Sequence, residues 1–175
     1  EVSVRATDDA READRELAAG RERGPLHGIP VLLKDNILTD DGMAASAGAA
    51  ALAGFRPQRQ ATLVRRLRAS GAIVIGKTNM TEFADYVSEV MPSGFSGSGG
   101  VVRNPHGMDY GRGQGSSVGS AAAIAAALAP FAIGTETQNS IQAPAAYSSV
   151  VGYKPSVGLV SRAGVFPLVP SQDSP

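Results

Sequence analysis

Helix-like and strand-like hydrophobic patterns alternate along this chain. Residues 8–23 place alanine and leucine at helical spacing, with acidic residues early and arginine late, and a Gly-Pro pair follows. Residues 29–33 form a short apolar run between Gly28 and Lys34. Such a run predicts a buried strand with Lys34 at its end.

A second helix and strand follow in the same order. Leu63, Val64 and Leu67 share one face of a predicted helix that ends at Gly71, and residues 72–75 form the next apolar run. This repeated order is typical of an α/β fold with a buried sheet.

The last third of the chain continues this pattern after a long Gly/Ser-rich region. Residues 93–115 show little periodicity, and loops of that length are usually functional or disordered. Residues 118–128 predict an alanine-rich helix, 131–134 a strand and 144–149 a short helix that begins with proline.

Composition narrows the class of ligand. The 175 residues are 43% hydrophobic and 18% charged, which is typical of a globular domain with one sizeable core. Sixteen basic residues balance sixteen acidic residues, so we expect neither a nucleic acid nor an anionic membrane as partner. Neutral small molecules or peptides are the favoured ligands, and the oligomeric state is not indicated.

The absence of cysteine removes several kinds of chemistry. Disulfides, thiolate metal sites and a cysteine nucleophile are excluded, and two histidines are too few for a zinc site. The absence of cysteine fits a cytoplasmic protein and a secreted protein equally well. The first residues show no signal peptide, which favours the cytoplasm without deciding the location. The last residues form a polar turn with no terminal element, so we expect a piece of a longer protein.

Some motifs resemble known sites without the right context. Residues 71–78 match the phosphate-loop pattern, but their apolar β-branched centre predicts a strand without the free N–H groups that bind phosphate. The glycines at 111–115 miss the dinucleotide-binding spacing. His27 and His106 both lie in turn-like sequences, which favours turn residues over members of a Ser-His-Asp triad.

Two serines 24 residues apart are the strongest chemical candidates. Ser116 and Ser140 each lie where an apolar run meets a turn rich in Gly, Ser or Thr. By themselves, Ser116 and Ser117 fit a flexible turn or a helix cap before Val118. Ser140 fits a polar loop residue, although consecutive N–H groups at 137–140 can form an anion-binding nest suited to an oxyanion.

Only three lysines are available as a base. Lys34 follows an apolar run directly, where burial would lower its pKa from ~10.4 and leave it neutral. Lys77 has a similar place after residues 75–76, so the residues alone do not choose between the two. Lys154 precedes Pro155 and fits a structural role.

Taken in order, these motifs resemble the amidase signature family. The similar segments include the two serine motifs, Lys34 and Lys77. They lie at residues 24–36, 76–80, 115–120, 134–144, 151–156 and 158–162. The resemblance covers about residue 8 to residue 175. Bacterial peptide amidases look closest, notably at residues 46–48, 54–57 and 134–137.

The resemblance implies a fold and a set of roles. It implies the amidase signature fold, a mixed sheet flanked by helices in an α/β/α sandwich, with residues 1–175 as the N-terminal portion of one domain. Ser140 would be the nucleophile, Ser116 a bridging serine with a cis peptide bond, and Lys34 the base, which leaves Lys77 in the scaffold. The implied oxyanion and substrate-binding residues are Thr137, Gln138, Asn139 and Ser117. No metal or cofactor is implied.

This chain departs from the family pattern near Ser140. Gln138-Asn139 stands where a small residue and glycine are usual, and Gln142 replaces the usual arginine. We expect Asn139 to keep the turn through a left-handed φ and Gln138 to crowd the acyl pocket.

Three functions remain open at this point. The implied activity is hydrolysis of carboxamides, including C-terminal peptide amides, through an acyl-enzyme on Ser140. One alternative is a glutaminase subunit of a tRNA-dependent amidotransferase. The other is a catalytically degenerate binding scaffold, which the unusual residues Gln138, Asn139 and Gln142 suggest.

Overall fold

The computed structural model describes residues 1–107 and 109–175. Its helices are α1 (Ala6–Ala18), α2 (Thr62–Ala69), α3 (Val118–Ala125) and α4 (Gln142–Tyr147). Its strands are β1 (Pro30–Lys34), β2 (Ile73–Thr78), β3 (Phe95–Ser96), β4 (Gly100–Val101) and β5 (Phe131–Ile133). Two 3-10 turns lie at Ala50–Leu52 and Glu82–Asp85. The predicted α/β class and the main helices and strands are confirmed.

The main sheet has the strand order β2-β1-β5, and its three strands are parallel. Lys34 at the end of β1 lies opposite Thr78 of β2, and Leu33 lies opposite Ile133 of β5. The first residues of the chain cover the free edge of β2 through an antiparallel bridge between Val2 and Gly76. Polar residues at the ends of parallel strands therefore meet at one edge of the sheet.

Alternation along β1 separates the core from the site. Val31 and Leu33 are fully buried in one cluster with Leu63 and Val64 of α2. Successive side chains of a strand point to opposite faces, so Lys34 leaves this cluster and points toward the start of α3.

The phosphate-loop lookalike at residues 71–78 lies largely within β2, as its apolar centre predicts. In contrast, the region 93–115 contains a short hairpin that was not predicted, in which Phe95 pairs with Val101. Its glycines and serines have no period-2 alternation, so the sequence carried no signal for it.

The alanine-rich run forms α3, which is buried along most of its length and ends at Ala125. Gly119 allows this helix to approach the end of β2, because a Cβ there would lie 2.1 Å from the carbonyl oxygen of Asn79. Among the described helices, none has the length and apolar character needed to cross a bilayer.

We predict that Gly119→Ala destabilises the full-length protein by about 1–3 kcal/mol, because the added methyl group forces α3 away from the sheet. Gly54→Ala is the matched control, since a Cβ at Gly54 meets no atom within 4 Å. Thermal unfolding of both variants checks this. Equal midpoints would show that the close approach at Gly119 contributes nothing to stability.

Candidate active site

Lys34 is fully buried at the end of β1 and is surrounded by oxygen atoms. Its Nζ lies 2.7 Å from Ser116 Oγ and 2.9 Å from Ser117 Oγ. Thr135 contributes its hydroxyl at 2.9 Å and its carbonyl oxygen at 3.1 Å. The structure therefore joins β1, the turn before α3 and the loop after β5 at one amine.

The neighbouring hydrogen bonds distinguish the two serines. Ser117 Oγ donates to the carbonyl oxygen of Thr135 at 3.0 Å, so its proton is already engaged. Ser116 Oγ has Lys34 as its one hydrogen-bond partner among the described residues. Ser116 is therefore the hydroxyl whose proton is available to a neutral Lys34.

Burial lowers the pKa of Lys34 from 10.5 to about 7, because the charged form loses its hydration. The carboxylates of Glu136 and Asp173 act in the opposite direction and raise the pKa. Lys34 thus changes charge near neutral pH, which is the range that a general base requires.

The turn at Ser116 differs from the expected one. Within the described residues every peptide bond is trans, so the expected cis bond at Ser116 is wrong. A non-proline cis bond costs about 2.5–4 kcal/mol. Here Gly115 reverses the chain with a positive φ of 78° instead. The buried Thr81 holds the turn, because its hydroxyl donates to Gly115 O at 3.2 Å and its N–H donates to Ser116 O at 3.2 Å.

Ser140 packs directly against this turn. Its carbonyl oxygen accepts a hydrogen bond from Ser117 N–H at 3.0 Å, and a Cβ on Gly115 would lie 2.6 Å from Ser140 Cα. Ser140 and Ser116 line the same cavity. Among the hydrogen bonds of the described residues, none joins their hydroxyls.

The backbone before Ser140 presents free donors. Within the described part of the chain, the N–H groups of residues 137–140 donate no hydrogen bond. The expected left-handed φ at Asn139 is wrong, and its side chain donates instead to Gly113 O at 2.8 Å. Gln138 is exposed and does not line the cavity, so the expected crowding is wrong as well. Among the described hydrogen bonds, neither side chain pairs with these N–H donors.

The cavity beside Ser140 has a volume of about 560 Å³. Its wall is largely apolar and includes Phe83, Tyr86 and Phe166. Thr137 faces it and donates to Asp173 Oδ1 at 2.6 Å. Burial raises the pKa of Asp173, but hydrogen bonds from Thr137 and from two backbone N–H groups lower it by more. The net result is a pKa below the usual value.

The site contains four residues that were not predicted from the sequence. Thr135 and Glu136 lie in the same polar motif as Ser140, at residues 134–140, so the sequence did contain a signal for them. Thr81 and Asp173 carried none, because they reach the site only through folding.

Ser117 has a different place from the expected one. It was predicted to bind substrate, but it lies beneath Lys34 and does not line the cavity that contains Ser140. Its contacts with Lys34 and Thr135 indicate a supporting role.

The other candidates lie elsewhere. The Lys77 amine donates to the carbonyl oxygens of Asp35 and Ile37, which supports the turn after Lys34. His27 contacts the Ala13 carbonyl oxygen at 2.9 Å, and His106 contacts the Ser148 carbonyl oxygen at 3.1 Å. Both histidines bind backbone within the fold and contact neither Ser116 nor Ser140.

Comparison with known proteins gives consistent matches along the chain. The family model "Amidase" matches residues 1–175. The crystal structure of native peptide amidase from Stenotrophomonas maltophilia superposes with a TM-score of 0.92 at 55% identity, and the match covers 99% of this chain and 35% of that protein.

Curated relatives include both amidases and amidotransferase subunits. A probable amidase of Arabidopsis thaliana is 46% identical over 93% of this chain and 32% of its own length. A glutamyl-tRNA(Gln) amidotransferase subunit of Symbiobacterium thermophilum is 47% identical over 94% of this chain and 32% of its own length. The chain thus spans about a third of the length of the relatives it matches.

We predict that Thr81→Val destabilises the full-length protein by about 1–3 kcal/mol. The variant removes the hydroxyl that accepts from Gly94 N–H at 2.8 Å and donates to Gly115 O, which leaves buried backbone groups unpaired. Thr7→Val on the exposed surface of α1 is the control. Thermal unfolding checks the prediction, and a shift no larger than that of Thr7→Val contradicts it.

Proposed function

Since this chain belongs to the amidase family, we propose that it carries the reacting groups of an amide hydrolase. One observation carries the proposal. A fully buried lysine with a pKa of about 7 lies 2.7 Å from a serine hydroxyl, at a cavity that also contains Ser140. A neutral amine in this position is a base that needs no metal ion or cofactor.

In the proposed reaction, proton transfer starts at Lys34. Neutral Lys34 accepts the proton of Ser116 Oγ, and Ser116 accepts the proton of Ser140. Ser140 Oγ then attacks the carbonyl carbon of the amide and forms a tetrahedral oxyanion. The second transfer requires a hydrogen bond between the two serines, and such catalytic contacts often tighten only when substrate binds.

The remaining steps return the proton to the leaving group. The N–H groups of residues 137–140 stabilise the oxyanion, because they are free donors on the Ser140 segment. Lys34 and Ser116 deliver the proton to the amide nitrogen as the C–N bond breaks, and ammonia or an amine leaves. Water then attacks the ester on Ser140, which releases the carboxylate and restores the serine.

The cavity favours a substrate with an apolar group beside the carboxamide. Its wall is largely apolar, although Arg162 and Asp173 also line it, and its volume of about 560 Å³ falls within the range of typical ligand pockets. The 55% identity to a peptide amidase supports C-terminal peptide amides as candidate substrates.

A second candidate function has its own support. The relatives include a glutamyl-tRNA(Gln) amidotransferase subunit with 47% identity. In that case the same chemistry would release ammonia from glutamine for a partner that holds the tRNA. Glutamine hydrolysis that depends on such a partner would favour this alternative over the peptide amidase.

We predict that the full-length protein releases ammonia from peptide amides and that Ser140→Ala lowers kcat by at least ~10³-fold, because the nucleophile is lost. Lys34→Ala should have a similarly large effect. Ser156→Ala, an exposed serine outside the cavity, is the control. An inert wild-type protein supports the degenerate scaffold, and full activity of Ser140→Ala refutes the acyl-enzyme on Ser140.

We also predict that kcat/KM rises with pH through about 7, because the base is the neutral form of Lys34. Below this pH the amine is protonated and cannot accept a proton, so the rate falls. A pH–rate profile with a substrate that has no titratable group measures this. A profile that stays flat between about pH 5 and pH 9 contradicts the role of Lys34 as base.

A further inference from the structure

Glu136 links the two ends of the segment that carries Ser140. Its side chain is fully buried, and Oε2 accepts hydrogen bonds from Ile141 N–H at 2.6 Å and Gln142 N–H at 2.9 Å. Oε1 accepts from Gln142 Nε2 at 2.6 Å. The carboxylate thereby closes residues 136–142 into a ring that contains Ser140.

The backbone of Glu136 is fixed as well. Its N–H donates to Ser174 O at 2.8 Å, and its carbonyl oxygen accepts from Ser174 N–H at 2.8 Å. The N–H groups of Ile141 and Gln142 bind the carboxylate. The donors of the segment that pair with no described residue are therefore those of residues 137–140. The anchor thus decides which donors remain available to a substrate.

Glu136 also brings negative charge toward Lys34. Burial lowers the pKa of Lys34, whereas Glu136 and then Asp173 raise it. In the described structure no carboxylate lies within 4 Å of Lys34 Nζ, so these charges act at a distance through the interior.

Other charged groups near Lys34 are already engaged. The Asp35 carboxylate accepts from Ser46 and Gly48, and Lys77 of β2 binds backbone carbonyl oxygens. Lys154 lies 3.8 Å from Glu136 Oε1 and donates to Thr137 O at 3.2 Å. Lys154 therefore supplies the positive charge beside Glu136, while Gln142 supplies a neutral donor.

We propose that Glu136 is a positioning residue for the hydrolysis, which holds the Ser140 segment in place and keeps negative charge near Lys34. The inference rests on the proposed function, because it assigns Glu136 a role through Ser140 and Lys34. The effect of the Glu136 charge on the titration of Lys34 can nevertheless be measured without substrate hydrolysis.

The test titrates Lys34 directly by NMR in full-length protein with ¹³C-labelled lysine. The Cε signal of Lys34 is the one that disappears in Lys34→Met. In Glu136→Gln its midpoint should move to lower pH, since removal of the negative charge favours the neutral amine. The acid limb of the pH–rate profile should move in the same direction, and kcat/KM should fall about tenfold to a hundredfold as the segment loosens.

Two variants separate charge from simple structural damage. Glu136→Asp keeps the charge but shortens its reach, so kcat/KM should fall while the Lys34 midpoint stays closer to the wild-type value. Asp41→Asn removes a buried carboxylate that pairs with Arg68, and it should leave the Lys34 midpoint unchanged.

A folded Glu136→Gln protein with an unchanged Lys34 midpoint overturns the inference. If Glu136→Gln does not fold, Glu136→Asp carries the test alone, and an unchanged kcat/KM in that variant then overturns the inference. A moved midpoint in a protein that hydrolyses no amide would instead refute the proposed function and leave the electrostatic role of Glu136 supported.

Discussion

The burial of one lysine amine is the constraint on which this structure depends. Lys34 has no carboxylate in contact within the described residues, and a buried ammonium without a partner is costly. Its contacts are instead hydroxyl and carbonyl oxygens from Ser116, Ser117 and Thr135. Such a shell tolerates the neutral amine, so the same burial that strains the fold also prepares a base.

Assembling this shell requires segments from distant parts of the chain to approach closely, and glycine makes that possible. Gly115 contacts the backbone of Ser140, and Gly119 lets α3 approach the end of β2. At Gly134 a Cβ would lie 2.8 Å from Ser117 Oγ. Gly115 and Gly134 pack against Ser140 and Ser117, and Gly119 lies in the helix that follows Ser117, so these glycines set the geometry of the site as well as the packing.

Sequence patterns predicted elements well where hydrophobic periodicity was strong. The apolar runs at β1, β2 and β5 and the amphipathic α2 are present close to their predicted bounds. The hairpin of β3 and β4 lacks periodicity and was missed. The cis bond at Ser116 was expected from the family resemblance, and the left-handed φ at Asn139 from the tolerance of asparagine for that conformation; both expectations were wrong. Local backbone conformation depends on neighbours such as Thr81 and Gly113, which lie far away in sequence.

By itself, the sequence determined the α/β class, the family and the small set of serines and lysines that includes the site. Residue type and spacing sufficed, because strands and helices follow from local hydrophobic periodicity. Residue patterns alone left Lys34 and Lys77 equal, and the family resemblance favoured Lys34, but only the tertiary structure shows which lysine contacts the serines. Lys34 and Lys77 both lie on neighbouring parallel strands, but Lys34 contacts Ser116, whereas Lys77 binds the carbonyl oxygens of Asp35 and Ile37. That difference arises from register and from contacts between residues far apart in the chain, which local patterns do not encode.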